Sequence, residues 1–383
     1  MSSEGQSRLD AGSVVDLLRA QGVSFFTGVP DSLLKDLCAY VTDHVEGNRH
    51  IIAANEGAAV ALAAGHYLAT SELSVVYLQN SGLGNVVNPL LSLADPDVYS
   101  IPMVLLVGWR GEPGVKDEPQ HKKQGRVMLP MLDAMGLPYA VLSHRWDEAS
   151  AQIEEACKTA LARQTPYTLV VRNGAFASYK LKRKVANEYP LTREQAIKQI
   201  LDRLPKDAVV VSTTGKASRE VFEHRVATGE GHARDFLTVG SMGHCSQIAL
   251  GISLRRPERT VYCLDGDGAV LMHMGSLAII GANAGSNYKH LVINNGAHES
   301  VGGQPTVAFG IDIPAVARAC GYRHADRAST AEEIDAAMTR LAEVEGPALL
   351  EIRVNTGARA DLGRPTKTPL ENRDDLMRWL ASR

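Results

Sequence analysis

The feature that most restricts how this chain can fold is a set of short, continuously apolar runs set among longer amphipathic stretches. Residues 75–78, 103–107, 168–171, 209–211, 261–264, 291–293 and 349–352 are rich in Val, Ile and Leu, with no apolar–polar alternation. A strand of that kind hides both faces, as strands of parallel sheets covered by helices do. The expected fold class is therefore α/β, built on mostly parallel sheets flanked by helices. The stretches between carry helix signals. Thr192-Arg193-Glu194-Gln195 has the form of a capping box, and Ile197, Ile200, Leu201 and Leu204 then recur on one face before Pro205. Thr330 with Glu333 opens another helix, carried by Ile334, Met338 and Leu341.

At 383 residues the chain exceeds what one core ordinarily serves. Residues 179–190, with a basic cluster and no periodicity, read as a surface linker. The expected division is a first domain over residues 1–180, a linker over 181–190 and a second domain over 191–383. Forty basic against 43 acidic side chains leave a charge of −3, without the basic surplus that nucleic-acid binding demands. The most apolar stretch, residues 101–109, is far short of the roughly 20 residues of a membrane span. The polar, acid-bearing start, residues 1–7, does not read as a signal peptide. Cys38, Cys157, Cys245, Cys263 and Cys320 are odd in number and lack Cys-x-x-Cys spacing. Reduced thiols in a cytoplasm fit them better than disulfides or a zinc site.

The strongest chemical signal follows two of the apolar runs. Asp265-Gly266-Asp267-Gly268 comes after residues 261–264, Asn294-Asn295 comes after residues 291–293, and residues 269–293 separate the two motifs. A strand delivering such a turn, glycines that let N–H groups approach an anion, and a helix expected over 269–280 together suit a phosphate. Asp267 and the Asn295 side-chain oxygen are hard ligands of the kind Mg²⁺ takes beside phosphate oxygens. Either motif alone reads equally as a turn or a strand end; the pair, at the carboxyl edge of a sheet, favours a ligand site. Other phosphate loops fit worse. Gly215-Lys216 is followed by Ala217 and lacks the upstream glycine of a P-loop, and Gly266-x-Gly268 lacks the third glycine of a dinucleotide fold.

Gly266-Asp267-Gly268 and Asn294-Asn295 at this distance resemble the cofactor and metal motif of the thiamine diphosphate-dependent decarboxylases. Two more segments fit the same family: Ala54-Asn55-Glu56-Gly57-Ala58-Ala59 in the first half and Gly240-Ser241-Met242-Gly243-His244 in the second. The resemblance implies a pyrimidine-binding domain joined directly to a diphosphate-binding domain, without the central domain of longer members. It implies thiamine diphosphate and Mg²⁺ as cofactors, the metal held by Asp267, Asn295 and the Ala297 carbonyl. Thr214, Gly215, Gly266, Gly268 and Ala269 fall beside the diphosphate on this basis. Gly240 accepts from the 4′-amino group, Met242 props the cofactor in its bent form, and His244 lies nearby. Glu56 is implied as the catalytic glutamate hydrogen-bonded to the aminopyrimidine ring. Its setting agrees: residues 58–64 are apolar almost all round a helix, which calls for burial, and a buried carboxylate needs a partner. The family shares active sites between subunits, which implies a homodimer or higher homo-oligomer.

Finer matches in residues 25–32, 109–114 and 294–304 resemble the members that decarboxylate phosphonopyruvate in phosphonate biosynthesis, with sulfopyruvate-acting members as the alternative. A small anionic 2-keto acid of that kind needs cations and N–H donors. The candidates are Arg110, Lys116, His121, Lys122, Lys123 and Arg126, expected in a loop after residues 103–107 and interleaved with Glu112, Asp117 and Glu118. Ser32, Lys216 and His298 join them. His121, expected to titrate near neutrality, is the preferred proton donor. Asp31 is a second candidate acid, with a helix N-cap role for Asp31 or Ser32 as an equal contender. A glutamate that related enzymes carry shortly after the Asn-Asn pair is replaced by Val301, and Glu299 stands two residues earlier.

Overall fold

The computed structural model describes residues 8–382, so the start at residues 1–7 lies outside the described residues. The chain forms two compact units. The first runs to Lys184 and takes in Val301–Gln304; the second covers Val185–Ser300 and continues from Pro305.

The first unit is built on β1 (Val23–Gly28), β2 (His50–Ile52), β3 (Leu73–Gln79), β4 (Met103–Gly108), β5 (Tyr139–Val141) and β6 (Pro166–Val171). They form one sheet in the order β2-β1-β3-β4-β6-β5, with every pairing parallel. The second unit holds β7 (Val209–Ser212), β8 (Asp235–Leu237), β9 (Val261–Gly266), β10 (Tyr288–Asn294), β11 (His324–Ala328) and β12 (Ala348–Arg353). Its sheet, again all parallel, runs β11-β12-β10-β9-β7-β8. Read from the other edge, this order is the same as that of the first unit. All seven apolar runs lie in strands. Successive side chains of a strand point to opposite faces, and both faces are packed. Val75 and Tyr77 enter one core of the first unit while Val76 and Leu78 enter another. In the second unit Tyr262 and Leu264 face one core, Val261 and Cys263 the other.

The capping boxes are present as expected. The Thr192 side chain accepts from the Gln195 N–H and Gln195 returns the contact, opening the helix Arg193–Arg203; Thr330 and Glu333 do the same for Ala331–Glu343. Three expectations are corrected. The helix expected over 269–280 is two, Asp267–Met272 and Ser276–Asn283, interrupted by a turn at residues 273–275. The helix Glu56–Thr70 is not buried all round: Ala59, Val60, Ala63 and Ala64 face the core, while Ala61 and Leu62 are exposed. His121, Lys122, Lys123 and Arg126 are not in a loop but on the helix Pro119–Ala134, which Pro119 starts well because its fixed φ suits the first turn. Among the described residues all five cysteines are free, the Cys245 and Cys263 sulfurs standing 3.7 Å apart in the core. No helix of the described residues is long and apolar enough to cross a membrane.

Candidate active site

In an open parallel sheet a ligand finds room at the carboxyl edge, where connections from neighbouring strands leave in opposite directions. Here those points lie between β1 and β3 and between β7 and β9. Asp31 and Glu56 follow β1 and β2 in the first unit, and Gly215, Asp267 and Asn295 follow β7, β9 and β10 in the second.

In the first unit Glu56 follows β2 and opens the helix Glu56–Thr70, where Asn55 caps the helix by accepting from the Ala58 N–H at 2.9 Å. Its side chain is buried. One oxygen accepts from Asn85 Nδ2 at 2.7 Å. The other lies against Gly82, where an added Cβ would come within 2.3 Å of Oε1. Gly82 therefore leaves room for the carboxylate that no larger residue would leave.

Asp31, after β1, is wholly buried beside Gly108 at the end of β4. Burial pushes its carboxyl up to about 6, against the Leu33 N–H, which donates to it at 3.1 Å, and the positive charge of Arg110. It is not a helix cap: the following helix, Lys35–His44, has Leu34 at its N-cap and no side-chain capping bond, so neither Asp31 nor Ser32 fills that role. Arg110 donates from Nη1 to the Ser32 hydroxyl at 2.8 Å and grips Asp117 with Nε and Nη2. Its guanidinium is thus largely committed within the protein. His121 departs from its expectation: burial, helped by Arg110, holds its pKa down to about 4, so the ring is neutral near pH 7. Lys122 and Lys123 are exposed on the outer side of their helix.

In the second unit β7 ends at Ser212 and delivers Thr213-Thr214-Gly215 to the helix Lys216–Thr228. Gly215 has φ +96°, a conformation that favours glycine over residues with a Cβ. Lys216 Nζ is half-buried, 3.9 Å from Glu299 Oε1. Burial lowers its pKa. Next to β7, β9 ends at Gly266 and turns into Asp267 at the start of a helix. Asp267 is buried; its carboxylate accepts from the Thr306 hydroxyl at 2.5 Å and from the backbone amide of Asn295, and burial pushes its pKa up to about 6. Asn295 Oδ1 accepts from the Ala297 N–H at 3.1 Å, and the Ala297 carbonyl accepts from the Glu299 N–H at 2.9 Å. An added Cβ on Gly268 would lie 3.1 Å from the His298 ring and 3.3 Å from Met242 Cε, which makes these three neighbours. Burial holds His298 down to about 4. Gly240 and Met242 belong to a tight turn with Ser241 at φ +52° and Gly243 at φ +82°. His244 is exposed, its Nδ1 3.1 Å from the Met242 carbonyl, and its ring packs against His273 at 4.5 Å.

These donors fit a dication with a diphosphate. Asp267 is a buried carboxylate stabilised by uncharged donors alone, a charge that a hard divalent cation balances. Asn85, Gly82 and Thr306 are not among the residues the sequence singles out, and Glu299 is marked there only by its position two residues before Val301. Asn85 lies 29 residues from Glu56 and Thr306 lies 39 from Asp267, so no local pattern announces either.

Comparisons with known proteins cover both units. Residues 11–136 match the family model "thiamine pyrophosphate enzyme, N-terminal TPP binding domain", and residues 213–352 match "thiamine pyrophosphate enzyme, C-terminal TPP binding domain". The chain is 38% identical to the phosphonopyruvate decarboxylase of Streptomyces viridochromogenes, over 95% of this chain and 93% of that one. It is 36% identical to the phosphonopyruvate decarboxylase of Streptomyces hygroscopicus, over 95% and 92%. The sulfopyruvate decarboxylase of Methanosarcina acetivorans is 27% identical, over 84% and 85%.

Proposed function

The chain belongs to the thiamine pyrophosphate enzymes, and from that membership we propose that it decarboxylates 3-phosphonopyruvate to phosphonoacetaldehyde and CO₂, a step of phosphonate biosynthesis. The observation that carries the reading is the 38% identity to a phosphonopyruvate decarboxylase across nearly the full length of both chains. The sulfopyruvate relative is more distant, at 27%.

Thiamine diphosphate, held with Mg²⁺, supplies the electron sink for the charge left on carbon when CO₂ departs. The protein's part is to bind, orient and move protons. In this reading Asp267, the Asn295 side chain and the Ala297 carbonyl hold the metal. Thr214, Gly215, Gly266, Gly268 and Ala269 would receive the diphosphate, and Gly240, Met242 and His244 would contact the remainder of the cofactor. Glu56 shares a proton with the aminopyrimidine, its orientation set by Asn85 on one oxygen and by the space over Gly82 on the other. Asp31 is the better proton donor of the two acids considered, since a carboxyl near 6 keeps some acid form near neutrality while His121 is already neutral. Lys216, loosely paired at 3.9 Å, is favoured over Arg110 for the substrate's anionic end, with Ser32 and His298 as further contacts; Lys122 and Lys123, on the exposed side of their helix, are the weaker candidates. Residues 1–180 serve as the pyrimidine-binding domain and 191–383 as the diphosphate-binding domain, in a cytoplasmic homodimer or higher homo-oligomer with shared sites.

The test is substrate preference. With thiamine diphosphate and Mg²⁺ present, kcat/KM for CO₂ release is expected to be highest for phosphonopyruvate, ahead of sulfopyruvate and pyruvate. Preference for sulfopyruvate, or turnover of none of the three, contradicts the reading.

A further inference from the structure

We propose that Glu299 is a positioning residue for the metal site: its carboxylate fixes the Asn295 amide so that Oδ1, and not Nδ2, is turned to the cation. The inference rests on the thiamine diphosphate reading above and assigns a function to a residue that reading leaves unused. Asn295 is buried, and its backbone amide faces the Asp267 carboxylate. The two ends of its side chain meet partners of opposite character. Oδ1 accepts from the Ala297 N–H at 3.1 Å, and Nδ2 donates to Glu299 Oε2 at 3.0 Å. Turning the amide over would set NH₂ against an N–H and a carbonyl oxygen against a carboxylate, losing both bonds.

Glu299 is itself locked. Oε2 also accepts from Arg193 Nη1, and Oε1 accepts from the Gly357 N–H at 2.7 Å. Arg193 in turn donates twice to Glu220, at 2.8 and 2.7 Å, and that carboxylate is only 1% exposed. Lys216 Nζ completes the surroundings at 3.9 Å. Every one of these neighbours is a donor, which suits a group that only accepts. Four separated pieces of chain thus converge on one carboxylate: the capped start of the helix Arg193–Arg203, the start of the helix Lys216–Thr228, the Asn295–Glu299 turn and the segment after β12. Both Glu299 oxygens are engaged this way, so the residue stands behind the metal ligand. Partners that orient a metal ligand typically govern metal affinity by about 10- to 100-fold.

The test titrates thiamine diphosphate into purified full-length protein by calorimetry at a series of Mg²⁺ concentrations, for wild type, Glu299→Gln and Glu299→Ala. Melting of the cofactor-free proteins is followed in parallel. The Mg²⁺ needed for half-maximal cofactor binding is expected to rise roughly 10- to 100-fold in Glu299→Ala and less in Glu299→Gln, which keeps one acceptor oxygen. Excess Mg²⁺ should restore binding at temperatures where the cofactor-free variants remain folded; their melting temperature is expected to fall, more in Glu299→Ala than in Glu299→Gln, because Arg193 and the Gly357 N–H lose an acceptor. If Glu299→Ala fails to fold, the Gln variant carries the comparison. An unchanged Mg²⁺ dependence overturns the proposal, and so does a binding loss that excess Mg²⁺ does not repair, which marks a purely structural role. Wild type that binds no thiamine diphosphate at any Mg²⁺ concentration refutes the enzyme class instead.

Discussion

Two buried aspartates, Asp31 and Asp267, are both pushed up to about 6, and in each case the largest cause is the loss of water around the carboxylate. For Asp31 this has a consequence for stability. Its folded pKa is about 6 and its ordinary value is 3.8, so the fold favours the acid form. The stability it contributes is complete below 3.8 and is lost as pH rises through 6, a cost of about 2–3 kcal/mol at high pH. Asp31→Asn keeps an acceptor for the Leu33 N–H and removes the charge. It should raise the melting temperature of the cofactor-free protein at pH 7.5, and the gain should vanish near pH 4; an equal gain at both values would refute the assignment. At this scale the sequence was uneven. Asp267, Asn295 and Glu56 stand out because they follow strands or head an alanine-rich helix. Glu299 and Asn85 do not, because what they touch is set by the convergence of loops distant in the chain. His121 misled for a related reason: its residue type says near-neutral, while burial beside Arg110 says about 4.

At the scale of elements, the long interior strands and the capped helices are written locally and were readable. Strands with both faces buried are apolar except where a polar side chain finds a partner, as His290 on β10 does in Tyr322, and a Thr–x–x–Gln start must satisfy two orphan amides whatever the rest of the fold does. The edge strands hid. β2, β5 and β8 are three residues each, and β11, His-Ala-Asp-Arg-Ala, is mostly exposed, so neither length nor hydrophobicity marks them. β1 is central but carries Ser24 and Thr27. The break between Asp267–Met272 and Ser276–Asn283 likewise has no strong sequence punctuation beyond Gly275. Because the capping box at Thr192 also begins the helix that carries Arg193, it can be tested alone. Thr192→Ala should cost about 1 kcal/mol in denaturant unfolding; no measurable loss would mean that tertiary contacts, and not the cap, hold this helix start.

For the whole molecule, the two units repeat one strand order, and each presents its chemistry at the same place in that order, the carboxyl edge where the connections diverge. The proposed division of labour rests on what each edge carries: a hydrogen-bonded glutamate and a buried aspartate in one, and an aspartate–asparagine pair with glycine turns in the other. The most direct test of that division is thiamine diphosphate binding with Mg²⁺, measured by calorimetry on Glu56→Ala and Asp267→Ala beside wild type, with turnover of phosphonopyruvate recorded on the same samples. Glu56→Ala is expected still to bind the cofactor while losing roughly 100-fold or more in turnover. Asp267→Ala should lose cofactor binding by more than the roughly 100-fold of an outer-sphere change. Cofactor binding undiminished in Asp267→Ala, or turnover undiminished in Glu56→Ala, would contradict that division.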